Sequence, residues 1–338
     1  MSWPPARGAT RRDESSPQHR VGCRWFVIVA IFAGILLTGC AHYQPQPLDA
    51  EHRADEFERR SLADAGLRAF VETNLLTTPS AWPLAEWELE QLTLAAFYFH
   101  PDLDAARAKW NTVTAGKITA GQRPNPNLSV TPRLNSSAIG TGVTPWILGG
   151  SLDVPLETAG KRKYRLAQAQ QLGEAARFEL AGTAWRVRSR VRRGLLDLQA
   201  ARETSALAGE QVLTLGRVAQ LVGRQFEAGA VSPVELSVAR IAENQAQMRL
   251  KEAQRQEAVA RAQLADALGL PLRALDGVKL AVADLAAFPT DLTSGEIRRQ
   301  AVLNRADVLG ALAEYAASES ALQLQVAKQY PDIHLRPG

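Results

Sequence analysis

Residues 158–228 hold no proline, and apolar side chains recur at Leu180, Ala184, Val187, Val191, Leu195 and Leu198, in steps of 4, 3, 4, 4 and 3. Leu215, Val218, Val222 and Phe226 continue the stripe. That spacing keeps one helix face apolar and predicts a single continuous helix with coiled-coil character. Roughly 70 residues at about 1.5 Å each give a rod on the order of 100 Å. The run 185–192 alternates apolar and basic like a strand, but its flanks are strongly helical and the reading stays helical. Gly229-Ala230-Val231-Ser232-Pro233 breaks the rod. Ser232 as cap, Pro233 at the first helical position and Glu235 at the third predict a second helix, ending near Gly269-Leu270-Pro271. Ala246, Ala253, Ala258, Ala260 and Ala262 would keep this helix slim enough to pack closely. The two helices are therefore expected to form a long antiparallel hairpin.

Shorter patterns precede the rod. A helix capped by Ser61 is expected over 61–76, another over 87–99, and a third from Asp102 to about Gln122. Pro124-Asn125-Pro126-Asn127 stops the third. Leu128-Ser129-Val130-Thr131-Pro132 and Ser151-Leu152-Asp153-Val154-Pro155-Leu156 alternate at strand period and predict a β-hairpin with a long connection. After the helical hairpin the chain repeats itself at a fixed offset of 205: Ala96 matches Ala301, Asp102 matches Asp307, and Pro126 and Pro132 match Pro331 and Pro337. Duplication of one structural unit is the expectation. The second copy reaches only its first strand, so the sequence is expected to be truncated in the second repeat.

At the N-terminus, basic residues (Arg11, Arg12, Arg20, Arg24) precede an apolar run over 25–37, which Leu37-Thr38-Gly39-Cys40 closes. A spanning helix needs about 20 apolar residues, so the order reads as a secretory signal. Leu-Thr-Gly-Cys resembles the bacterial lipobox, which makes Cys40 the lipidated first residue of the mature chain. The competing reading is that Cys40 merely ends a hydrophobic anchor. The expected organisation is a signal at 1–39, an extended tether at 40–60, helices at 61–123, strands at 124–157, the helical hairpin at 158–270, a linker at 271–293 and the incomplete second repeat at 294–338.

Composition narrows the function classes. The chain has 338 residues and a formal net charge of +4, but basic and acidic residues interleave, which leaves no tract for nucleic acid. Of its two cysteines, Cys23 leaves with the signal and Cys40 would carry lipid, so the exported chain must be held by burial alone. Aromatic residues make up 6%, in keeping with a mainly α chain built on long helices plus a small β part. His42, His52, His100 and His334 are scattered, without metal-ligand spacing. No nucleophile–base set, phosphate loop or carboxylate pair stands out, so neither an enzyme nor a cofactor is expected. Lys161 and Arg162 read as interfacial or helix-start residues. Gly229 reads as an ordinary helix-ending glycine.

Four segments in order resemble one family. They are His100-Pro101-Asp102-Leu103-Asp104-Ala105-Ala106-Arg107-Ala108, Pro124-Asn125-Pro126-Asn127-Leu128-Ser129, Leu156-Glu157-Thr158-Ala159-Gly160-Lys161-Arg162 and Arg224-Gln225-Phe226-Glu227-Ala228-Gly229-Ala230-Val231-Ser232. Together they resemble the TolC family of outer-membrane efflux proteins over residues 60–338, with wording that leans toward the CzcC/CusC-like branch serving heavy-metal pumps. The resemblance implies a homotrimer whose protomers each give four strands to a shared outer-membrane β-barrel and long helices to a periplasmic tunnel. It implies docking on a periplasmic adaptor through a tip at Gly229, Ala230 and Val231, and an inner-membrane transporter of the resistance-nodulation-division class. The implied function is export of heavy-metal cations or drugs. The exit duct of a type I protein-secretion system, and a lipoprotein scaffold or inactive fragment that never forms a pore, stay open as alternatives. Strands in lipid must close into a barrel, and two cannot do so alone. This chain carries two strands of the family's four and one of its two long hairpins. The family's acidic gate lies in the other half.

Overall fold

The computed structural model describes residues 45, 47, 49–75, 81–135, 146–281 and 294–337. The signal and Cys40 lie outside the described residues. Residues 54–338 form one compact unit. In chain order the elements are α1 (Ala50–Arg59), α2 (Ala65–Asn74), α3 (Leu89–Phe99), α4 (Pro101–Gly121), β1 (Asn127–Leu134), β2 (Trp146–Leu156), α5 (Lys161–Glu227), α6 (Pro233–Leu268), a 3₁₀ turn (Leu272–Leu275), α7 (Ser294–Asn304), α8 (Ala306–Ala327) and β3 (Ile333–Leu335).

The rod expected from the apolar stripe is α5, 67 residues long and therefore about 100 Å. Its neighbours step backward along α6 as they advance along α5: Gly194 faces Leu264, Arg202 pairs with Glu257, Gly216 faces Glu243 and Gly223 faces Leu236. That order defines the antiparallel hairpin. Small side chains set how closely the helices approach. A Cβ on Gly194 would lie 3.2 Å from Leu264 Cα. On α6, Ala246, Ala253, Ala260 and Ala267 recur every seventh residue and all are buried. Ala258 and Ala262 are exposed instead, because the period that faces α5 skips them.

The core sits where most elements meet. Val187, Val191, Leu195 and Leu198 of α5 pack with the buried face of α3, with Leu67 and Val71 of α2, and with Leu264 and Leu268 of α6. Farther out, among the described residues, α5 has only α6 beside it, and the stripe opens: Val218 is 43% and Phe226 38% exposed. Trp185 is exposed on the helix surface with Arg188 over its ring, so the alternating run is helical as expected.

Three local expectations need correction, and a fourth is sharpened. The tether is helical over Ala50–Arg59, because Asp49 Oδ1 accepts the Glu51 and His52 amides and starts a turn. The cap of α2 is Asp64, accepting from the Leu67 amide at 2.8 Å, not Ser61, whose hydroxyl accepts the Ala63 amide. Helix α3 starts at Leu89, since Trp87 is drawn into a parallel bridge with Leu280. The described start of the linker is ordered by the same bridge, where Trp87 N–H donates to Lys279 and the Ala281 amide donates to Trp87.

The offset of 205 carries into the elements. Helix α7 starts 205 residues after α3, and α8 starts 205 after α4. Both α4 and α8 lie on α5: Lys109 of α4 pairs with Glu179, and Gly310 of α8 sits against Phe178. Strand β3 falls where the second copy of β1 belongs, and it pairs antiparallel with β2 to give the order β1-β2-β3.

Candidate functional site

Register gives the sheet two chemically distinct faces. On one lie the pairs Leu128–Leu152, Val130–Gly150, Pro132–Leu148 and Leu134–Trp146, continued by Val154–Leu335 and Leu156–Ile333. On the other lie Asn127–Asp153, Ser129–Ser151, Thr131–Gly149 and Arg133–Ile147, continued by Pro155–His334. The apolar face meets no core: Leu128 is 69%, Leu148 75% and Trp146 61% exposed. Strict alternation, one wholly apolar face and an 11-residue β2 are what a membrane-spanning β-strand requires. Among the described residues both edges, the outer ones of β1 and β3, are open, and an open edge cannot stand in lipid.

At the inner end of the sheet, three chain crossings between strands and helices are tied to one another. Lys161, the first residue of α5, is buried, and its Nζ donates to Tyr330 O at 2.7 Å and to Asp332 Oδ1 at 2.7 Å. The Thr158 amide donates to the same Asp332 oxygen, and its hydroxyl donates to Pro331 O. Arg162 Nε donates to Gly121 O at 2.6 Å. Arg165 reaches both Gln122 O and Glu157, with Nη2 2.9 Å from Glu157 Oε2. Hydrogen bonding to Lys161 and to the Thr158 amide holds the Asp332 carboxyl below the usual range. Arg165 does the same for Glu157. The left-handed turn at Ala159 and Gly160 aims Lys161 inward. Lys161 and Arg162 are thus helix-start residues, one of the two readings expected of them. Asp332 carries no sequence signal because Lys161 is 171 residues away, and Arg165 gives none for the crossing it ties because Gln122 O is 43 residues away.

The hairpin tip lies at the opposite end of α5. Gly229 takes φ 72°, its amide donates to Phe226 O, and the Ala230 amide donates to Gln225 O at 2.8 Å. These two bonds form a Schellman motif that ends the helix. Ser232 and Glu235 then make a reciprocal capping box. Gly229 and Ala230 are exposed, and a Cβ on Gly229 would meet nothing within 4 Å. Val234 beside them is 70% and Val238 60% exposed. Among the described residues, no group of three or more His, Cys, Asp or Glu side chains could hold a metal ion. Nor is any helix among them long and apolar enough to cross a membrane, which leaves a β-barrel untouched.

Known proteins share this build. The chain is 26% identical over 237 residues to the cobalt-zinc-cadmium resistance protein CzcC of Cupriavidus metallidurans, covering 70% of this chain and 54% of that one. It therefore spans about half the length of that curated relative. The outer membrane protein VceC of Vibrio cholerae superposes with a TM-score of 0.60 at 18% identity, covering 75% of this chain and 64% of that one. CusC, described as forming a transmembrane channel, superposes with a TM-score of 0.60 at 20% identity, covering 77% and 62%. Both likenesses are of fold. The outer membrane efflux protein family matches residues 97–270, a span that runs from α3 through the β-hairpin and the long helical hairpin and is just over half of the chain. This chain belongs to the outer membrane efflux protein family.

Proposed function

We propose that this protein is the outer-membrane channel subunit of a tripartite efflux pump that exports heavy-metal cations or drugs. The observation that carries the reading is the two-faced sheet, apolar on one side and polar on the other, welded to a 100 Å helical hairpin. Such a sheet is stable in lipid only when its edges close with further strands, which supports a homotrimeric barrel. The exposed outer stripe of α5 supports packing against neighbouring helices in a periplasmic tunnel. The tip at Gly229, Ala230 and Val231 is the docking point for a periplasmic adaptor, with an inner-membrane transporter of the resistance-nodulation-division class beyond it. Cys40 carries the lipid and the segment before it is the signal peptide. The likeness to CzcC supports a metal cargo.

Fractionation and bilayer recording test this. The mature chain is expected in the outer membrane and is expected to conduct in planar bilayers. Cys40→Ala is expected to lose lipid labelling. Recovery of the unmutated chain as a soluble periplasmic protein would overturn the reading. A chain that reaches the outer membrane but never conducts is the scaffold.

A further inference from the structure

The polar face of the sheet carries charge at two levels, and this inference rests on the channel reading above. At the inner end, Asp153 is compensated: His334 Nδ1 lies 3.0 Å and Arg336 Nε 3.5 Å from its Oδ1. Arg133 stands at the outer end, opposite Ile147. Its side chain is exposed and makes no ion pair among the described residues. Six residues separate Arg133 from Asn127, the partner of Asp153, so the two levels lie about 20 Å apart. Between them the face bears only Ser129, Ser151, Thr131 and Gly149, which carry no charge. In a closed barrel this face looks into the water-filled lumen, because the other face is wholly apolar.

We infer that Arg133 biases the small-ion preference of the pore toward anions at its outer mouth, without setting the cargo that the pump delivers. Each protomer supplies one Arg133 at the same height, so a closed assembly carries a layer of like positive charge near its outer mouth. Pore-lining rings of arginine or lysine select anions by this means. The inner level adds little, since Asp153 is already bracketed by His334 and Arg336. Asp153 in turn keeps Arg336 from acting as a second free positive layer.

The test is the reversal potential of the full-length chain in planar bilayers across a potassium chloride gradient. Low ionic strength is used, because the screening length is then about 30 Å at 0.01 M and a lumen charge is felt across the pore. The parent chain is expected to favour chloride. Arg133→Gln is expected to lower the chloride-to-potassium permeability ratio about twofold or more, Arg133→Lys to retain it, and Asp153→Asn to raise it. A parent chain that favours potassium overturns the inference, and so does Arg133→Gln conducting with the parent's ratio. Absence of conductance from the parent itself overturns the channel reading, a result distinct from both.

Discussion

His100 is buried at 4% exposure, and its Nδ1 accepts the Asp102 amide at 3.1 Å, so the ring must stay neutral to cap α4. Burial and then the nearby Arg190 lower its pKa below the ordinary 6.5, while Asp102, Asp266 and Asp104 partly oppose the shift. Below pH 6.5 the unfolded chain therefore binds more protons than the folded one, and stability falls as pH drops through that range until the folded pKa is passed. Asp102, held down chiefly by its bond to Arg190, and Glu157 lose their contributions only at lower pH, beneath the ordinary carboxylate values. Urea midpoints at about pH 7.5 and about pH 5.5 isolate the histidine. The parent is expected to be less stable at the lower pH, and His100→Asn, which keeps an acceptor, to remove most of that difference. Gly269 is a sharper test of backbone. It takes φ 70°, and a Cβ there would lie 2.9 Å from Phe99 O and 3.0 Å from His100 Cα. Gly269→Ala is expected to cost about 2–4 kcal/mol, combining left-handed strain with overpacking, whereas Gly229→Ala should cost only about 1 kcal/mol because nothing stands in its way. Denaturant titration of the two variants checks the contrast.

At the scale of elements, what the sequence made legible was whatever repeats locally. The proline-free span 158–228 and the stripe from Leu180 to Phe226 foretold the length of α5, Val187 to Leu198 the face it buries, and Ser232, Pro233 and Glu235 where α6 begins. Period-2 alternation gave both strands, though Trp146 to Gly150 escaped notice because glycines interrupt the pattern. Two kinds of feature stayed hidden. One is a cap made by an unusual residue: His100 looks like a stray histidine until its buried position is known. The other is a partner far along the chain, as with Lys161 and Asp332, where no spacing signals the pair. The capping box lends itself to a local test. Ser232→Ala removes the acceptor of the Glu235 amide and is expected to destabilise the tip by about 1 kcal/mol. Hydrogen exchange should quicken at 233–236 while the amides around Val187 and Val191 keep their protection, because the core there does not depend on the tip.

For the whole molecule, the inner end of the sheet decides whether strands and helices behave as one body. Lys161 joins the β2–α5 crossing to the α8–β3 crossing, and Arg162 and Arg165 join it to the α4–β1 crossing. Removing one partner leaves the other unpaired, so Asp332→Ala is expected to loosen the crossing more than Lys161→Met, which retains the buried stem and discards the charge. Protease nicking of the 328–333 stretch reads that order. The same rigid connection makes the two faces of the sheet separable by neighbouring residues. Val130 lies on the apolar face and Ser129 on the polar one, and both are exposed in the single chain. In water alone, arginine at either position is nearly neutral, within about 0.5 kcal/mol. In a barrel, Val130→Arg places a charge in hydrocarbon at a cost of about 2–4 kcal/mol, while Ser129→Arg points into the lumen. Outer-membrane recovery is therefore expected to fall for Val130→Arg and to persist for Ser129→Arg. Equal recovery of the two variants would mean that the sheet never enters lipid.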